Sequence, residues 1–496
     1  MTTKSIGVAQ NTAYLIFAYV GQKVFSFLLF VFIARLVAVE DLGKYVFAMS
    51  FTSMFGIFID LGLSQVLIRE VAKDITRARD YLNNILSVKA ILGVITYLAV
   101  VVAINLTGKS AEVRHLVYLS GVVMFLDSFY LSFYGIMRGF CNLKFESIGI
   151  LIGQVVIFIL GLTALLLHLP VIYLVAAVLG GSAFNFFYAF ILIEKKLKLG
   201  AGFAWDKELL KLLFRIAVPF AIAGIFSRVY GYIDSVLLSV LAGDKQVGFY
   251  SAGYKIVFAL QFIPAAFAAA IFPAMSRAFV SDRIGLARIF EKSMYYLFVI
   301  SMPIAAGAFI LARDILTKMY GPGFAVAEFS FQILMLSLFF NFISFPLGSM
   351  LNAGNRQVKN TVVIGVTMLV NAVLNLILIP VFGAEAYVGA SIAALAGSVV
   401  MVALSFWWVR GLTEYNAKFL WLGFARTLLA TALMSVIIIT LKPTMNFLFL
   451  VPIGALVYFV VLYLVRGLDR QDIIDVYNSF FKKKAISNAE DPPCDN

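Results

Sequence analysis

Apolar runs of about 20 residues recur along almost the whole chain, and each is long enough to cross the hydrocarbon core of a bilayer as a helix. Of 496 residues, 62% are hydrophobic and only 13% are charged, well outside soluble usage. The expected fold class is an all-α polytopic membrane protein. About fourteen transmembrane spans are predicted, near 12–35, 43–68, 85–105, 115–137, 148–168, 170–193, 214–241, 249–273, 293–312, 329–351, 361–380, 385–409, 421–441 and 446–465. The connecting loops are short, so function is expected within the helices. The first run is long enough to span and lacks a small-residue cleavage site after it, so no signal peptide is expected.

Basic residues set the orientation. Of the 39 Lys and Arg, roughly 27 fall on the side shared by the N-terminus, the loops after even-numbered spans and the tail, against about 7 on the other. Arg69, Lys73, Arg77 and Arg79 follow the second span, and Lys195, Lys196, Lys198, Lys207 and Lys211 lie between the sixth and seventh. A multi-pass protein of the cell (cytoplasmic or inner) membrane, with both termini cytoplasmic, is the expectation. Cys141 and Cys494 lie on a cytoplasmic loop and in the tail, which does not indicate a disulfide framework. His115 and His168 stand alone near helix ends, without a second ligand at metal spacing. No metal, cofactor or nucleic-acid partner is expected.

An internal repeat is visible. At an offset of 205 residues, Gly43-x-Tyr45 falls on Gly248-x-Tyr250 and Lys23 falls on Arg228; at 213, Gly135 and Asn142 fall on Gly348 and Asn355. Two parallel six-helix lobes follow, residues 1–200 and 201–412, joined by the basic stretch after the sixth span. Residues 413–466 add spans 13 and 14. In residues 467–496, Ile473, Val476, Tyr477, Phe480 and Phe481 recur at helical spacing before Lys482, Lys483 and Lys484, which suits an amphipathic helix on an anionic leaflet.

Ionisable groups inside spans are expensive, roughly 2.5 to 3.5 kcal/mol each on insertion scales, so they face a cavity or pair with one another. Lys23 stands about 18 Å into the first span, near the midplane. Arg228 has a comparable depth on the seventh, in a small-residue stripe that opens on a lumen or packs closely around an ion pair. Lys255 either pairs with Asp234 or contacts substrate. Arg35 closes the first span, where snorkelling explains it. Asp60 is placed to orient the loop after the second span, and Asp127 neutralises Lys23 or binds a proton. Pro219, Gly224 and Gly231 make the seventh span a candidate hinge, because proline removes a helical hydrogen bond. Thr107-Gly108-Lys109-Ser110 lacks the first glycine of a phosphate-binding loop and falls on the outer side, which argues against ATP. No gathered nucleophile or acid pair supports an enzyme.

Several phrases carry a family likeness: Phe58-Ile-Asp60-Leu-Gly62-Leu-Ser64 with Arg69-Glu70, Gly248-x-Tyr250, Phe272-Pro273, and Asn371-x-x-Leu374-Asn375-Leu-Ile-Leu-Ile-Pro380 with Gly383 and Gly389-Ala390. In this the chain resembles the polysaccharide transporter family, which includes O-antigen-type flippases, within the superfamily of multidrug and toxin extruders. The resemblance implies two lobes splayed in a V around a central lumen and alternating access. It implies a flippase for a polyprenyl-(di)phosphate-linked oligosaccharide, and by their own placement Lys23, Arg228, Lys255 and Arg35 are the candidates to meet its diphosphate in the lumen. Membrane potential would favour export of two or three negative charges by about 5 to 7 kcal/mol per 100 mV, with any coupling ion unidentified. Membrane lipids and a glycan polymerase or glycosyltransferases are the expected partners. A cation-coupled drug antiporter and a non-transporting scaffold are the alternative readings.

Overall fold

The computed structural model describes residues 8–467, with side chains from Tyr14 onward. The expected amphipathic segment at 473–484 and Cys494 lie outside the described residues. Eighteen α-helices occur among those described: α1 (Val8–Leu36), α2 (Val39–Phe55), α3 (Ile57–Asp60), α4 (Leu63–Lys73), α5 (Ala78–Leu106), α6 (Ala111–Gly139), α7 (Leu143–Leu166), α8 (Ile172–Leu192), α9 (Lys207–Ala242), α10 (Asp244–Leu260), α11 (Phe262–Ser281), α12 (Arg283–Ile310), α13 (Ala312–Tyr320), α14 (Glu328–Ala353), α15 (Gln357–Phe382), α16 (Ala386–Val409), α17 (Ala417–Leu441) and α18 (Phe447–Leu464). Among the described residues, thirteen stretches are long and apolar enough to cross a membrane, and the longest, Gln357–Val409, contains both α15 and α16. The fold is thus an all-α multi-pass membrane fold.

Two compact units meet in sequence between Ser251 and Ala252. In the first, α1 packs on α7, α7 on α8, and α8 on α6, while α2 and α4 lie against α6 and α9. In the second, α14 is flanked by α12 and α16, α15 lies on α16, and α17 and α18 pack beside α12. The stretch after α8, expected as the joint between lobes, is strapped to the start of α5. The backbone N–H groups of Gly202, Ala204 and Asp206 donate to Asn83 Oδ1 at 2.8 Å, Ser87 Oγ at 3.0 Å and Asn84 Oδ1 at 2.7 Å. Asp206 then caps α9 by accepting from the N–H groups of Glu208 and Leu209. At 36 residues α9 extends about 54 Å, longer than the hydrocarbon core is thick.

The second predicted span, 43–68, is not one helix. It breaks at Gly56 and again at Leu61–Gly62, both with positive φ (43° and 77°). Glycine suits the second break twice over: it tolerates the left-handed conformation, and a Cβ there would lie 2.7 Å from Phe220 Cβ on α9. Beyond the break α4 turns amphipathic, burying Leu63, Val66, Leu67 and Val71 and exposing Arg69 and Lys73. Gly139 on α6 lets it approach, since a Cβ there would meet Val71 Cγ1 at 2.6 Å. The predicted eighth span is also interrupted, at Gln261, between α10 and α11.

A lysine holds the first of these interruptions. Lys89 on α5 is fully buried, and its ammonium reaches Asp60 Oδ1 at 2.5 Å, Ser64 Oγ at 2.9 Å and the Ser128 carbonyl oxygen at 2.9 Å. Three donors meet three acceptors on α3, α4 and α6. Removing one partner of a buried pair strands the other, at a cost of about 3 to 5 kcal/mol, whereas replacing both with apolar groups is often neutral. Lys89→Met is therefore expected to lower the thermal midpoint of the purified protein clearly, and Lys89→Met with Asp60→Leu to restore most of it. An unchanged midpoint in the single variant would remove the pair from the list of stabilising contacts.

Candidate functional site

The described residues of the first unit enclose a cavity of about 540 Å³. Its walls come from α2 to α4, α6 and α9, with Thr52, Asp60, Ser64, Asp127, Ser128, Tyr130, Arg138, Phe220, Gly224 and Arg228 among the lining residues. The helix break described above supplies one wall, because turning α4 away from α2 brings Asp60, Gly62 and Ser64 to the surface of the cavity.

Two of the four charged lining residues are neutralised locally. Asp60 is held by Lys89 and also accepts from the Ser64 hydroxyl at 2.5 Å and the Ser64 N–H at 3.3 Å. Arg138, near the end of α6, forks onto the fully buried Glu146 of α7; its Nε lies 2.9 Å from Oε2, and its terminal nitrogen donates to Glu146 Oε1 and, at 2.9 Å, to Tyr19 Oη. One guanidinium thereby ties α1, α6 and α7 together. Beside it the Tyr134 hydroxyl donates to Asn185 Oδ1 at 2.6 Å, joining α6 to α8.

The remaining pair is Asp127 and Arg228. Ser182 hydrogen-bonds the Asp127 carboxylate, and Arg228 is close enough to act on it electrostatically. The other carboxylate oxygen, Oδ1, is buried without a hydrogen-bond partner. Arg228 itself is exposed to the cavity. Lining charge is thus balanced, two acids against two arginines, whereas the sequence suggested a cationic excess. What remains is one cation close to one incompletely hydrogen-bonded acid, each bearing on the other's charge.

The other expected residues are distributed around this site. Lys23 is half-buried on α1 and is not in the cavity lining described. Arg35 is exposed at the end of α1. Asp234, buried on α9, accepts from the Tyr250 hydroxyl at 2.8 Å. Lys255 is half-buried on α10, in the part of the chain that belongs to the second unit. Pro219 lies inside α9, Gly224 lies where a Cβ would meet Ile57 Cδ1 at 2.7 Å, and a Cβ at Gly231 would meet nothing within 4 Å. Lys109, from the rejected nucleotide motif, is a structural tie: it pairs with Asp244 at 2.8 Å and caps the Ser239 carbonyl at 2.8 Å. No metal-ligating cluster of three His, Cys, Asp or Glu occurs among the described residues.

Lys89, Arg138 and Glu146 are absent from the expectations above. Each stands close to a predicted span end, where a charge reads as a solvated residue. The helices in fact run further: α5 begins at Ala78, α6 continues to Gly139 and α7 begins at Leu143.

Residues 8–279 match the family described as polysaccharide biosynthesis protein, and residues 219–377 match the MatE family. An uncharacterized membrane protein of Methanocaldococcus jannaschii is 26% identical over 407 residues, 76% of this chain and 78% of its own. A Shigella flexneri protein named "Putative O-antigen transporter" is 24% identical over 351 residues, 68% of this chain and 82% of its own. Among solved structures, the lipid II flippase MurJ in an inward closed conformation aligns with a TM-score of 0.75 at 14% identity, covering 93% of this chain and 99% of that one. A multidrug resistance MATE family transporter of the MOP superfamily, inward-facing, aligns with a TM-score of 0.65 at 15% identity, covering 79% and 94%. At such identities the structural likeness speaks for the fold alone. A sequence match over more than half of the chain makes this protein a member of the polysaccharide biosynthesis family, on an all-α multi-pass membrane fold.

Proposed function

We propose that the protein is a flippase that moves a polyprenyl-(di)phosphate-linked oligosaccharide from the cytoplasmic to the outer leaflet by alternating access. The observation that carries this reading is Arg228 facing Asp127 across a polar cavity walled by transmembrane helices. A guanidinium in a low-dielectric cavity grips phosphate oxygens strongly. Its nearby carboxylate competes for the same donors. In this scheme a phosphate displaces Asp127 from Arg228 when the acid takes up a proton, and loss of that proton helps expel the phosphate. Lys23, the repeat-related cation, contributes a second grip, while Lys255 and Arg35 serve entry and exit. The lipid tail stays in the bilayer while the sugar crosses within the protein. Glycosyltransferases or a polymerase acting on the same glycolipid are the proposed partners.

A cation-coupled drug antiporter is the second reading, favoured by the match to the MatE family over residues 219–377. Arg228, exposed in the lining and without an ion pair among the described residues, counts against it.

Reconstituted in vesicles with a fluorescent polyprenyl-diphosphate oligosaccharide, Arg228→Ala and Lys23→Ala are each expected to slow translocation about tenfold or more, the loss of one charge-assisted contact being worth roughly 1.5 to 3 kcal/mol. Normal flipping in both folded variants would sink the site assignment, and export of a lipophilic cation by the wild type would favour the antiporter.

Topology is open to a direct check. Cys141 is exposed in the turn between α6 and α7. With Cys494 changed to serine, a membrane-impermeant maleimide should label Cys141 only from the cytoplasmic side. Labelling of intact cells would invert the orientation.

The proposed hinge lies in α9 around Pro219, Gly224 and Gly231. Spin-label pairs spanning residues 219–231 are expected to change separation on substrate addition while pairs within α5 and α6 hold theirs. The opposite pattern would move the hinge out of α9.

A further inference from the structure

A second polar cavity, of about 770 Å³, lies in the second unit, where α12 and α17 begin and α16 ends. Three arginines line it: Arg283, Arg288 and Arg410. The turn after α16 leaves carbonyl groups without helical partners, and arginines supply the missing donors. Arg356 donates to the carbonyls of Trp408 at 2.8 Å and Gly411 at 3.1 Å. Arg283 donates to the Leu412 carbonyl at 3.2 Å and stacks over the Phe279 ring at 4.0 Å. These two arginines are occupied by the protein itself.

Arg288 and Arg410 are not. Both are exposed, and neither guanidinium forms an ion pair or hydrogen bond among the described residues. Of the two acids in the groove, Glu291 accepts the backbone N–H of Asn416 at 2.6 Å, and Glu414 stands exposed without an ion pair among the described residues. The groove therefore offers two guanidinium forks with nothing of the protein to hold.

Its surroundings fix the depth. Three of the four tryptophans in the chain border it in sequence: Trp407 and Trp408 at the end of α16, and Trp421 in the first turns of α17. Trp407 and Trp421 are 74% and 71% exposed. Exposed indoles at the ends of apolar spans mark the level of lipid headgroups. Lys359 adds a further cation, 4.2 Å over the Trp408 ring.

We propose that this groove binds the phosphate of an anionic phospholipid headgroup, held by Arg288 and Arg410 and separate from the transport cavity. The recognition chemistry, a fork of N–H donors on phosphate oxygens, is shared with free phosphate. The tryptophan level favours the lipid.

Native mass spectrometry of the detergent-purified full chain, titrated with phosphatidylglycerol, tests this. A basic residue near an anionic headgroup is worth about a factor of five in binding, so Arg288→Ala with Arg410→Ala is expected to weaken retention of the tightest lipid roughly 25-fold. Arg114→Ala with Arg313→Ala, which also removes two arginine charges but none from the groove, should leave it unchanged. Inorganic phosphate should not displace the lipid. Undiminished retention in the Arg288/Arg410 variant overturns the site, and displacement of the lipid by inorganic phosphate overturns the choice of ligand. Both variants must melt with the wild type; if the alanine pair does not fold, the glutamine pair reads the same loss.

Discussion

Hydrocarbon offers no water to satisfy a broken helix, so every polar group at a break inside the membrane needs a partner from the protein. The salt bridge between Lys89 and Asp60 meets that demand. Leu61 and Gly62 turn the chain out of its helical path, and the three bonds of the lysine hold together α3, α4 and the backbone of α6 at that point. Without the break, the second span would continue straight and α4 would not pack its apolar face into the core formed with α5, α6, α8 and α9. The cavity wall and the close approach of Gly62 to Phe220 both follow from it.

The two unneutralised charges of the cavity gain their meaning from the neutralised ones. Asp60 and Arg138 reach the same space, yet each is committed to a partner that is itself deeply buried, Lys89 or Glu146. Such pairs are weak sources of net stability but costly to break, which makes them rigid fixtures. Against that fixed frame, Asp127 and Arg228 are the groups whose partners can change. A balanced lining also means that an anion entering the cavity meets a competitor already in place.

The apolar spans and the family were legible in the sequence because each rests on a long-range pattern: run length or ordered phrases. What escaped were features decided by contacts between spans. Lys89 follows Asn83, Asn84 and Ser87, and that polar composition moved the predicted start of the span to residue 85, leaving the lysine near the interface. In the fold, those same polar residues are buried because they receive the backbone N–H groups of residues 202–206, so α5 starts seven residues earlier. Arg138 and Glu146 lie at positions where an isolated helix would be solvated, and it is the packing of α6 on α7 that pairs them, buries Glu146 and brings Arg138 to Tyr19. The break at Leu61–Gly62 carried a glycine as its sole local signal, which a straight, close-packed helix would share.

The buried lysine bears on how the chain enters the membrane. Segments are delivered to the bilayer in order of synthesis, and α5 on its own would carry Lys89 into lipid at a cost of roughly 2.5 to 3.5 kcal/mol. Asp60 is made first and carries the opposite charge. Neither residue sits comfortably in lipid alone, and each is the other's shelter. Biogenesis of this half of the protein is therefore expected to favour joint release of the stretch from α2 to α5 as one hairpin, with the ion pair already closed. A contact that shapes a polar cavity in the finished molecule would then have served earlier as the passport of two helices that could not travel separately.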